Sequence, residues 1–89
     1  DEKAIQEIGR MYISRTPAEN SALTLSHLLE SDGQGRRMNR LGDRELAGFL
    51  ARKAKADFAS GNVVYINGWM LSQTEARQCA LFSLSSKRK

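Results

Sequence analysis

Along the first third of the chain, apolar residues recur at helical spacing. Ile5, Ile8 and Tyr12, widened by Ala4 and Met11, form one stripe between Glu2 and Ile13. Such a stripe marks an amphipathic helix with one face turned to a core. Gly9 interrupts it, at a cost of about 1 kcal/mol relative to Ala unless a close contact requires it. Thr16-Pro17-Ala18-Glu19 then reads as a capping box with proline at the first helical position. It predicts a second helix from Pro17 to about Glu30, with Ala22, Leu25, Leu28 and Leu29 on one face. Leu23 lies nearly opposite, alongside His27, and suggests a second, smaller contact.

Ser31 to Leu41 breaks the pattern with Gly, Asp and Asn, and Asp32-Gly33-Gln34-Gly35 reads as a loop. Gly42 is positioned to cap a third helix, with Glu45 at the third helical position and Leu41 packing on Leu46. Leu46, Ala47, Leu50, Ala54 and Phe58 line one predicted face as far as Ala59, and Gly61 follows as the left-handed terminator. Arg44, Arg52 and Lys55 fall on the solvent side. The period then changes. Val63-Val64-Tyr65-Ile66, Asn67-Gly68 and Trp69-Met70-Leu71 predict a β-hairpin over 63–71 with a type I′ turn. Ser72-Gln73-Thr74-Glu75 is a second capping box and opens a helix expected to reach Leu84. Ala76, Cys79, Ala80, Leu81, Phe82 and Leu84 cover nearly its whole circumference, so this helix is expected to be buried. The predicted fold is mainly α: a single domain over 1–84 of about four helices with one short hairpin before the last. Residues 85–89 are expected to fray as a basic tail.

Length and composition narrow the chemistry. An 89-residue chain has room for one modest core. One Cys forbids an internal disulfide, and one Cys with one His is too few for a structural zinc site. No apolar run approaches the ~20 residues of a membrane span. The formal charge of +4 is uneven: residues 1–32 carry net −3, residues 33–62 net +4, and residues 63–89 net +3. An acidic front and a basic middle either attract each other within the fold or face different partners.

The candidate sites are few. His27 has no recognisable nucleophile or acid beside it in sequence, so a structural histidine is the simpler reading. Cys79 lies among Ala and Leu and reads as a small apolar residue. The acids form no metal pattern, and Gly33-Gln34-Gly35 lacks the strand and third glycine of a dinucleotide loop, so no metal or other cofactor is expected. Tyr65 and Trp69 on the hairpin either lid the core or, with Phe82, anchor a protein partner. Arg36, Arg37, Arg40, Arg44, Arg52, Lys53 and Lys55 have the footprint of an anion or nucleic-acid binder. The long glycine-rich break before the third helix argues against a helix-turn-helix.

The stretch Val64-Tyr65-Ile66-Asn67-Gly68-Trp69-Met70-Leu71-Ser72-Gln73-Thr74-Glu75-Ala76-Arg77, together with Ile8-Gly9-Arg10-Met11-Tyr12, resembles small bacterial proteins exported with a signal peptide. The resemblance implies a periplasmic domain and brings no activity with it. The start at Asp1 rather than Met fits leader cleavage, and equally a boundary set otherwise. The expectation is a non-enzymatic accessory protein that works by protein–protein contact, such as a periplasmic subunit or helper of a larger complex. A nucleic-acid-binding module using segment 36–55 is the alternative.

Overall fold

The computed structural model describes residues 2–31 and 42–86. Their order is helix α1 (Glu2–Arg15), a 3-10 turn (Pro17–Glu19), α2 (Ala22–Glu30), α3 (Asp43–Ser60), strands β1 (Val63–Ile66) and β2 (Trp69–Ser72), and α4 (Gln73–Ser86). The fold is mainly helical with one antiparallel hairpin before the last helix, as the periodicity predicts. Helix α4 is the hub, packing against the other three helices and both strands. Ile8 and Tyr12 of α1, Leu25 of α2, Ile66 of β1, and Ala76 and Ala80 of α4 make the core.

Gly9 explains how α1 comes so close to α4. A Cβ built on it would sit 2.6 Å from the carbonyl carbon of Cys79 and 3.0 Å from the Cα of Ala80. No real side chain tolerates that approach to backbone. The glycine, unfavourable within an isolated helix, is therefore required by the crossing. On the opposing helix Ala76 and Ala80, one turn apart and fully buried, keep that surface low.

Three local expectations hold in detail. Asn67 and Gly68 take φ of 54° and 83°, the two positive values a type I′ turn demands. The hairpin register is Val63 with Ser72, Val64 with Leu71, Tyr65 with Met70 and Ile66 with Trp69. At the start of α4 the Glu75 amide donates to Ser72 Oγ at 2.9 Å, and the Ser72 amide donates to Glu75 Oε1 at 3.1 Å. Gly61 ends α3 with φ of 79°.

Other expectations are corrected. The second helix does not start at Pro17: Thr16 Oγ donates back to the Tyr12 carbonyl instead of capping, and Pro17–Glu19 forms only a 3-10 turn. The true cap is Ser21, whose Oγ accepts from the Thr24 amide at 3.2 Å. Ala22, expected on the inward face of α2, is exposed, and Leu23 is 70% exposed rather than packed in the second contact expected beside His27. The inward face of α3 is rotated from the predicted one. Phe49 is its buried residue, whereas Ala47 is exposed and Phe58 is 43% exposed. Helix α4 continues through Ser86, two residues past the expected end, and Ser85 Oγ donates to the Leu81 carbonyl. Residues 32–41, where a loop and Leu41 of the Leu41–Leu46 staple are expected, and residues 87–89 of the expected basic tail lie outside the described residues.

Candidate functional site

Among the described residues, three of the six exposed large hydrophobic side chains lie on the hairpin. Tyr65 is 64% exposed, Trp69 57% and Met70 53%. Directly opposed residues of a hairpin share a face, so Tyr65 and Met70 stand together on the outer side. Trp69 shares the core face with buried Ile66 but sits at the turn end. These residues do not lid the core. The hairpin segment from Val63 to Ser72 also contains no charged residue. Its β1 side is tied down, because the Arg15 guanidinium on α1 donates to the Tyr65 carbonyl. Met70 was not singled out from the sequence, although its place opposite Tyr65 follows from the Asn-Gly turn.

Phe82 belongs elsewhere. It lines a groove of about 340 Å³ between α2, α3 and α4 with Leu29, Leu46, Leu50 and Leu81, and neither Tyr65 nor Trp69 borders that groove. The three aromatics expected to act together therefore occupy two separate surfaces.

The basic residues also divide. Arg36, Arg37 and Arg40 lie outside the described residues, while Arg44, Arg52 and Lys55 are exposed on α3. Lys53 is on the inward side. Its Nζ donates to the carbonyls of Leu28 at 2.7 Å, Ser31 at 3.1 Å and Leu29 at 3.2 Å. An α-helix leaves its last carbonyls without intrahelical donors, and this ammonium satisfies them at the end of α2. Burial first, and the positive Arg77 second, pull the Lys53 pKa below lysine's ordinary value, with Asp57 partly offsetting them. The same ammonium stands 5.6 Å from the centre of the Phe49 ring, within cation–π range. Lys53 thus works as a structural clamp.

A second polar centre went unnoticed in the sequence. Arg77 of α4 grips Glu19 with two bonds, Nε to Oε1 and Nη2 to Oε2, both at 3.1 Å. The Tyr12 hydroxyl donates to the same Oε1 at 2.8 Å. Burial alone would raise the Glu19 pKa, but the bonds from Arg77 and Tyr12 outweigh it and hold the carboxyl below its usual range. Tyr12 moves upward, chiefly through burial and then through its bond to Glu19. Arg77 also borders a cleft of about 360 Å³ with Lys53, Asp57, Ser60 and Asn62. Its charged groups are already engaged: Asp57 Oδ2 accepts from the Thr74 amide at 2.7 Å, opposite the start of α4. These groups hold helices together.

His27 borders a shallow depression with Leu23, Thr24 and Leu28, a lining without a carboxylate. Cys79 is half-buried, and burial followed by the nearby Glu75 raises its thiol pKa, which disfavours the reactive thiolate. Among the described residues no group of three or more His, Cys, Asp or Glu could hold a metal ion, and no helix is long and apolar enough to cross a membrane. In comparisons with known proteins, no family model, no curated protein and no solved structure matches this chain.

Proposed function

We propose that this protein is a small non-enzymatic accessory protein that acts by gripping another protein with its β-hairpin. The observation that carries this reading is the exposure of Tyr65, Trp69 and Met70 on a segment without charges. Tyr and Trp dominate the energetics of protein interfaces because they bring large area at low rotamer cost and keep a polar handle. The partner surface that suits them is an apolar pocket for Trp69 beside a flatter apolar strip for Tyr65 and Met70. The resemblance of residues 64–77 to exported bacterial proteins supports a periplasmic setting, which immunoblotting of periplasmic extract from the native host would check.

Photo-crosslinking from position 70 in native-host extract tests the contact itself. One discrete adduct is expected with the native chain, and it should vanish with Trp69→Ala while circular dichroism stays unchanged. A folded Trp69→Ala, Tyr65→Ser double variant that still forms the adduct would refute the hairpin reading. Failure of the native chain to form any adduct with protein would refute it equally.

A further inference from the structure

We propose that the solvent face of α3 is a docking surface for the phosphate backbone of double-stranded nucleic acid, built on Arg44, Arg52 and Lys55. At 100° per residue these three cations fall within about 80° of the 18-residue helix, with Gly48 between them and Ala51 and Ala47 at the edge of the stripe. All three are exposed. The surface rests on α3 alone and is independent of the hairpin.

The acids of this helix whose side chains are described are turned to other tasks. The Glu45 carboxylate folds back over the helix start, its Oε1 lying 2.7 Å from where a Gly42 Cβ would be. There it complements the positive helix end. Asp57 is on the inward side, accepting from the Thr74 amide. Arg77 is paired with Glu19, away from this face. Arg44, Arg52 and Lys55 therefore present their positive charge to solvent. Arg52 Nη1 lies 3.5 Å from the position a Gly48 Cβ would take, an ordinary contact distance, so the guanidinium leans one turn back toward Arg44.

The spacing suits a duplex. At 1.5 Å per residue, the Cα positions of Arg44 and Arg52 are about 12 Å apart along the axis, a backbone span comparable with the width of the B-form major groove. Lys55 extends the row to about 16 Å. Duplex DNA carries a charge about every 1.7 Å, so phosphates fall within reach of such a row without residue-by-residue matching. The intervening Ala and Gly positions let the backbone approach closely. An anionic bilayer is the poorer fit, because an interfacial helix buries a broad apolar face in the headgroup region. Here the large apolar residues Leu46, Phe49 and Leu50 face inward, and Phe58 alone shares the outer face.

The test is fluorescence anisotropy of a labelled DNA duplex of about 20 base pairs, titrated with the full chain from about 50 to 200 mM salt. Binding should weaken with salt, and the Arg44→Gln, Arg52→Gln, Lys55→Gln triple variant should make the log–log slope shallower by about 3, near 0.9 for each lost phosphate contact. Arg10→Gln on α1, a control for net charge, should change the slope little, and Trp69→Ala should leave duplex binding unchanged. If the triple variant loses its helical circular dichroism, the three single variants replace it, each expected to flatten the slope by about 0.9. Absence of duplex binding at about 50 mM salt would overturn the proposal. So would an unchanged slope in the variants, or an Arg10→Gln effect as large as that of a stripe residue. Polyglutamate or phosphatidylserine–phosphatidylcholine vesicles binding as tightly as the duplex, through the same residues, would assign the surface to a different partner and equally overturn it.

Discussion

Helices α1 and α3 both dock on α4, and they do so by different means. In its 14 residues α1 buries Ile8, Gly9 and Tyr12, and it meets α4 backbone to backbone through the glycine. Helix α3 is longer, at 18 residues, yet Phe49 is its one buried hydrophobic residue. Its attachment is largely directional: Lys53 reaches the end of α2, and Asp57 reaches the start of α4. Helix length is thus a poor guide to burial. Shape complementarity holds α1, while hydrogen bonds at chosen points hold α3 and leave its outer face exposed. The first kind of contact tolerates no added atom; the second tolerates substitutions almost anywhere between its anchors.

Adding one methyl group should break the comparison most severely. Gly9→Ala is expected to destabilise the domain by about 3 kcal/mol or more, because backbone on both sides must move. Thermal denaturation followed by circular dichroism reads this directly, and Gly48→Ala on the open face of α3 is the matched control. That control should be neutral or slightly stabilising, since its new methyl meets only the flexible end of Arg52.

Next in size is the Arg77–Glu19 pair, which pins the turn after α1 to α4. Arg77→Ala should cost about 2–3 kcal/mol, below the range for fully buried pairs because both side chains retain some solvent contact. The pair also gives stability an acid limb. The Glu19 pKa is lowered on folding, so its contribution is complete above the unfolded carboxyl value. It is lost as pH falls from there through the folded value. Urea titrations from neutral pH to about pH 3 should show that limb in the native chain and a weaker one in Arg77→Ala.

The anchors of α3 come third. Lys53→Met keeps the aliphatic stem but orphans three carbonyls, and Asp57→Ala orphans the Thr74 amide. Each should cost about 1–2 kcal/mol, and amide exchange should quicken in α3 before α1. Smallest is Trp69→Ala, expected within about 0.5 kcal/mol of the native chain in urea unfolding, because the indole is largely outside the core.

Legibility followed the range of the chemistry involved. The Asn67-Gly68 turn, the Ser72–Glu75 box and the Gly61 terminator are decided within four residues, and all three are readable in the chain. Thr16-Pro17-Ala18-Glu19 has the same lettering as a capping box, but Glu19 is taken by Arg77, 58 positions away, and by Tyr12. A distant guanidinium leaves no local trace. Gly9 could be flagged as costly but not explained without the backbone it faces. The rotation of α3 toward Phe49 escaped because its neighbours Ala47, Leu46 and Leu50 offered two nearly equivalent apolar stripes. Among the candidate site residues, Tyr65 and Trp69 could be named in advance, because an aromatic hairpin too short to stand alone must either cover something or show itself. Which of the two happens depends on how much of the hairpin α1 and α4 can cover, and no single stretch of sequence holds that information.

The junction between β2 and α4 has a mechanical meaning. Strand ends at Ser72 and helix begins at Gln73 with no residue between them, and the reciprocal Ser72–Glu75 bonds lock the corner. The Gln73 amide is further tethered to the Asn62 carbonyl at 3.0 Å, at the foot of the opposite strand. With both legs fixed at the base, the hairpin has no pivot of its own. A tug on Trp69 is transmitted as torque to the helix on which the whole core is threaded.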